Sequence, residues 1–193
     1  MNFVEYTEDK ILKIFESFKK QVPRILVIGA GYKIPATSTG FVVQHDPKKD
    51  IAEWICEFRD TDKFTDLFDV VIASRIFEHI PIRNIDWYLC CLYSVMKQNG
   101  KLICVVPDMS KVAEALDEEF SKPVKDQFKI HRLHFELFSE GPSIWDRHAC
   151  WMTPNSIKYF LEMEGLFTVQ EMINVRIDSD IIPNEIEVTA IRK

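Results

Sequence analysis

No apolar run in the 193 residues approaches the roughly 18 consecutive positions a membrane helix needs, so no spanning segment is expected. Basic charge is also short. The chain has 24 Lys and Arg against 30 Asp and Glu, a net charge of −6. That balance excludes a general electrostatic pull toward nucleic acid or an anionic membrane and leaves room only for a local patch. The opening MNFVEYTEDK carries acids and lacks an apolar core, so no secretion signal is expected. Cysteine is sparse and oddly numbered: Cys56, Cys90, Cys91, Cys104 and Cys150, none in a Cys-x-x-Cys pair. A disulfide framework is thereby disfavoured, and buried thiols in a reducing cytoplasm are the expectation. There is no internal repeat, low-complexity tract or interdomain linker. One domain over 1–193, long enough for a substantial core, is expected.

What is present centres on residues 24–45, RILVIGAGYKIPATSTGFVVQH. The apolar run 25–28 is closed by Gly29 and Gly31. A second run, 41–43, follows, and Asp46 stands just past it. Strand, glycine turn, strand, acid is the order of a nucleotide-binding edge in an open α/β sheet. Glycine lets the backbone approach a ligand, and the acid can accept hydrogen bonds from ribose hydroxyls. An ordinary tight turn after a buried strand gives the same glycine pair. A nicotinamide-dinucleotide site is disfavoured, because Ile34 stands where the third glycine of Gly-x-Gly-x-x-Gly belongs. Only residues 32–39, with Pro35 among them, separate Gly31 from Gly40, so the first crossover is a loop or a single helical turn.

The rest of the chain alternates helical and extended patterns. Residues 7–20 read as an amphipathic helix, capped by Thr7 and stopped before Pro23. Residues 51–58 are a third strand candidate, with Glu57 and Phe58 at its end, and 68–73 form a strong apolar strand. A helix is expected over 84–96, stopped at Gln98-Asn99-Gly100, and a strand over 101–106. Thr153 followed by Pro154 is a helix start, predicting a helix over 153–164. Strands over 167–175 and 186–191 close the chain.

In this order the residues resemble a class I S-adenosylmethionine-dependent methyltransferase. FDVVIASRIFEHI, a helix, then MKQNGKLICVVPD are similar to that family's fourth strand, its Glu-His ending, its fourth helix and its fifth strand. WDRHACWMTPNSIKYFLEMEGLFTVQEM resembles its late histidine, capped helix and aromatic-ended glycine turn. The resemblance implies a Rossmann-like three-layer α/β sandwich, with a mostly parallel seven-stranded sheet and an antiparallel edge hairpin. It divides the chain into an N-terminal helix (1–23), a cofactor core (24–108), an acceptor segment (109–152) and a C-terminal helix with edge strands (153–193). It implies S-adenosyl-L-methionine as cofactor, with Gly29 and Gly31 at its methionine part, Asp46 at the ribose and Glu57 near the adenine amine. Phe58 would wall the ring, and Ser74 would lie beside the methyl group. Two places depart from the pattern. Val27 stands where the family usually has an acid for the cofactor's ammonium, and Tyr32-Lys33 follow Gly31.

The resemblance implies a transferase acting on a small-molecule acceptor, with no nucleic acid or membrane partner. Its reaction is an in-line displacement, in which the protein mainly positions the reactants and excludes water. His79, at the carboxyl edge of the sheet, is the candidate base, with Glu78 beside it. Packing at a strand end explains His79 equally well, and a loop hydrogen bond explains Glu78. Arg75, Asp146, Arg147 and His148 are candidate acceptor contacts. The aromatics between 120 and 151 read as core packing or as an acceptor cover. No metal centre is assigned: His131, His134 and His148 lack a fourth ligand at a telling spacing. The alternative is a module that keeps this fold without activity.

Overall fold

The computed structural model describes residues 23–28, 41–45, 65–127, 130, 133, 137–138, 147–175 and 185–193. Six strands pair in one sheet: β1 (Arg24–Ile28), β2 (Phe41–His45), β3 (Phe68–Ser74), β4 (Met96–Pro107), β5 (Phe167–Val175) and β6 (Glu185–Arg192). Their spatial order is β2-β1-β3-β4-β6-β5. β1 pairs parallel with β2 and β3, placing Ile25 against Val70 and Ile28 against Ala73. β4 extends the parallel set beside β3, and β6 runs antiparallel to both β4 and β5. The helix expected over 7–20 and the strand expected over 51–58 lie outside the described residues, as does the connection 176–184. The seven-strand count and the edge hairpin are therefore not read from this sheet.

The apolar runs are continuous because the sheet is buried on both faces. Leu26, Ile28, Val71, Ala73, Leu102, Cys104, Val106 and Val188 share one core with α1 (Ile85–Val95) and α3 (Pro154–Glu162). On the other face Ile25, Val27, Val70, Ile72, Ile103 and Val105 are buried as well. Each such side chain contributes about 1.5–3 kcal/mol by leaving water. That is the physical source of the sheet's strength.

Local chemistry sets the element ends. Thr153 caps α3 reciprocally: its Oγ1 accepts from Ser156 N at 3.2 Å, and Ser156 Oγ accepts from Thr153 N at 2.8 Å. Asp108 caps α2 (Met109–Phe120), accepting from Ser110 N at 3.0 Å. No helix is expected there from the sequence pattern. α1 ends at Val95, one residue before the expected end at Met96, and β4 begins at once instead of at Lys101. Met96 is fully buried and stands against Phe68 in the sheet register, which draws the chain into an extended conformation there. The left-handed turn falls at Asn99, with φ 61. A Cβ on Gly100 would lie 2.7 Å from the Lys97 carbonyl oxygen, so only glycine fits. Among the described residues, no helix is long and apolar enough to cross a membrane.

Candidate functional site

Parallel pairing puts the ends of β1 at Ile28, β3 at Ser74 and β4 at Pro107 on one edge of the sheet. Ligands of open α/β sheets bind outside this carboxyl edge. Ser74 is half-buried there, opposite Val105. Arg75 follows in the left-handed region, with φ 58. Its backbone N donates to Val105 O at 2.8 Å. Its side chain turns toward β6, where Nε donates to Glu185 Oε1 at 2.5 Å.

A short 3-10 turn, Phe77–His79, comes next. Phe77 anchors it, fully buried edge-to-face on Tyr88 with ring centroids 5.3 Å apart. Glu78 is fully buried, and its carbonyl oxygen accepts from Ala149 N at 2.6 Å and Cys150 N at 3.0 Å. His79 Nδ1 lies 3.1 Å from Arg147 O. A carbonyl can only accept, so this contact assigns a proton to Nδ1; in the neutral ring the lone pair is then on Nε2. The His148 ring meets the His79 ring edge-to-face at 5.0 Å. Met109 N donates to Met152 O at 2.9 Å and fastens the far end of the same segment to the start of α2. Residues 147–152 are thus strung across the carboxyl ends of β3 and β4.

The fold therefore brings together Glu78, His79, Arg147 and His148, which the sequence separates by about seventy positions. Ligand atoms of Glu78, His79 and His148 all lie within 4.8 Å of one another. One carboxylate and two imidazoles can relay a proton, or can hold a divalent cation of the kind that takes nitrogen and oxygen ligands. This is a different set from His131, His134 and His148; the first two lie outside the described residues. So do Gly29, Gly31, Asp46, Glu57, Phe58 and Asp146, so the cofactor side of the site rests on sequence.

Tyr88 belongs to this neighbourhood, although its place on the inner side of α1 marks it only as core. Burial holds its phenol well above the ordinary tyrosine range, and Cys104, Cys91 and Glu78 add to the effect. The group stays protonated beside Glu78. Burial likewise raises the Cys150 thiol, against a smaller opposing effect of the Trp151 backbone, and Glu78 adds to the rise.

Comparison with solved structures decides the fold. A SAM-dependent methyltransferase from Archaeoglobus fulgidus superposes with a TM-score of 0.59 at 14% identity, covering 97% of this chain and 94% of that one. The fold is that of the SAM-dependent methyltransferases. A second methyltransferase-fold neighbour is the 1,6-didemethyltoxoflavin-N1-methyltransferase of Burkholderia thailandensis, solved with bound 1,6-didemethyltoxoflavin and S-adenosylhomocysteine. It has a TM-score of 0.62 at 14% identity, covering 94% of this chain and 76% of that one. No family model matches the sequence. Among curated proteins, the mitochondrial ubiquinone biosynthesis O-methyltransferase of Mus musculus is 24% identical over 113 residues, 58% of this chain and 26% of that protein. The match thus spans about a quarter of that relative's length.

Proposed function

We propose that this chain is an S-adenosylmethionine-dependent methyltransferase acting on a small-molecule acceptor. One observation carries the reading. His79 is oriented by the Arg147 carbonyl at the carboxyl edge of a methyltransferase-fold sheet, an arrangement that leaves Nε2 as the acceptor of the neutral ring. S-adenosylhomocysteine and a small heteroaromatic substrate in the Burkholderia enzyme support the cofactor and the acceptor class. The O-methyltransferase relative supports a hydroxyl acceptor. The cofactor supplies a methyl group already activated on a sulfonium. The chain's own task is then to bind, to orient and to take up one proton. Gly29 and Gly31 let the loop after β1 approach the cofactor, Asp46 accepts from its ribose, and Glu57 and Phe58 hold the adenine. Ser74 lies at the methyl group. His79 Nε2 receives the proton that a hydroxyl loses as its oxygen attacks. His148 flanks His79, and Asp146 and Arg147 border the acceptor. The resembled family's seven-stranded sheet with an antiparallel edge hairpin is the architecture proposed for the whole chain. Cys90, Cys91, Cys104 and Cys150 form no disulfide with one another, which supports a reducing cytoplasm.

Calorimetric titration with S-adenosylhomocysteine tests this. The wild type should bind, and Asp46→Ala should bind at least about tenfold more weakly, because hydrogen bonds to a charged group contribute roughly 1.5–3 kcal/mol each and 1.4 kcal/mol is one decade. Unchanged affinity with lower thermal stability would make Asp46 a turn residue. No binding by the wild type at millimolar cofactor would leave the inactive-module reading. The burial of Val27, at the place where the resembled family carries an acid, favours that second reading.

A further inference from the structure

We propose that the Arg75–Glu185 ion pair sets the position and tautomer of His79, which makes Arg75 a positioning residue rather than an acceptor contact. The inference rests on the reading of His79 as proton acceptor. Arg75 is one of four non-glycine residues at positive φ among the described residues, and it stands directly between β3 and the turn that carries His79. Glycine is the ordinary choice for that conformation, since a Cβ crowds the neighbouring carbonyl. An arginine persists there only if its surroundings over-determine the backbone.

Two contacts do so. The backbone N is held by Val105 O at 2.8 Å and the guanidinium Nε by Glu185 Oε1 at 2.5 Å. Glu185 stands opposite Pro107 in the register of β6 on β4. The arginine side chain therefore reaches across the carboxyl end of β4 to the next strand. Both side chains are largely withdrawn from water, with 17% and 7% exposure, so the attraction is weakly screened. From Arg75 the chain has only four residues in which to place His79. The turn is short and internally bonded, His79 N to Ile76 O at 3.0 Å and Ile80 N to Phe77 O at 3.2 Å, and so transmits the direction in which it starts. Released from Glu185, Arg75 relaxes toward negative φ. The turn rotates, and Nδ1 leaves the Arg147 carbonyl that assigns its proton.

The test uses the full chain labelled with 15N-histidine, at pH 8 with a chelator present. Long-range couplings distinguish the two neutral tautomers, and His79→Asn identifies the signal among the five histidines. The wild type should show His79 with its proton on Nδ1. Arg75→Gln and Glu185→Gln should each lose that pattern and move toward the Nε2–H form. Asp66→Asn, which weakens an ion pair at the opposite edge, should keep it. Where Arg75→Gln fails to fold, the isosteric Glu185→Gln decides alone. The proposal is overturned if the wild type lacks the Nδ1–H pattern, if the disrupting variants that fold retain it, or if Asp66→Asn loses it equally. Titration of the wild type with S-adenosylhomocysteine keeps the two readings apart. A protein that binds none refutes the methyltransferase function and leaves the His79 result intact.

Discussion

The two ends of β3 are built alike and differ in what they can do. Before the strand, Asp66 is left-handed at φ 52 and pairs with Arg192 at the end of β6. After it, Arg75 is left-handed at φ 58 and pairs with Glu185 at the start of β6. Because β6 runs opposite to β3, each pair reaches over β4 to a different end of the same strand. At the amino edge the acid is 64% exposed, and Arg192 is also held by the Tyr93 ring at 4.1 Å and by the Met96 carbonyl. Asp69 there joins Lys97 at 2.7 Å and the Arg24 backbone N at 2.9 Å. Redundancy in contact with water makes a latch. At the carboxyl edge both partners are withdrawn from water, and the turn that follows carries His79. A charge pair withdrawn from water is weakly screened, so its loss is felt strongly.

The largest expected effect breaks this contrast if it fails. Glu185→Ala leaves a largely buried guanidinium without its carboxylate and should cost about 3–5 kcal/mol in urea unfolding. Arg192→Ala should cost less, about 2 kcal/mol, through the lost ring contact and carbonyl hydrogen bond. A reversed ranking of these two variants would show that the amino edge is the more tightly determined.

Tyr88 sharpens the comparison through pH. Its folded-state phenol is raised above the ordinary value near 10, so below that pH both states keep the proton. Above it the unfolded chain releases the proton first, and stability falls as pH rises through the folded value. Tyr88→Phe should flatten this alkaline loss by up to about 1.4 kcal/mol per pH unit, read from unfolding curves at pH 9, 10 and 11. An unchanged slope would assign the loss to other groups, the raised Cys150 thiol among them. The smallest effect belongs to Asp66→Ala. An exposed ion pair contributes about 0–1 kcal/mol, and most of that should vanish in 1 M salt, as a melt at two ionic strengths would show.

Much of the frame could be read in the residues. Burial on both faces demands unbroken apolar strands, so 25–28, 68–73 and 101–106 stood out, and β1 does lie parallel to β3. Thr153-Pro154 announced its helix because capping is a property of neighbouring residues. Where α1 ends was legible to one residue, but that β4 already begins at Met96 instead of Lys101 was not, since that depends on burial of Met96 against Phe68. Nor was the partner of Arg75, 110 positions away. Nor was the helix that Asp108 caps, which follows the strand directly.

Local terms thus sufficed for which segments are strands, where a capped helix begins, and that Glu78 and His79 follow a strand at the edge where ligands bind. They depend on burial pattern and on bonds between near neighbours, both carried by residue order. The side-chain relations depended on the folded chain. That Arg147 orients His79, that His148 meets it edge-to-face, and that Arg75 faces Glu185 instead of open solvent all join residues 68 to 110 positions apart. Such contacts form only after the strand order and register have brought distant segments to one edge. No local preference of the residues involved specifies that order.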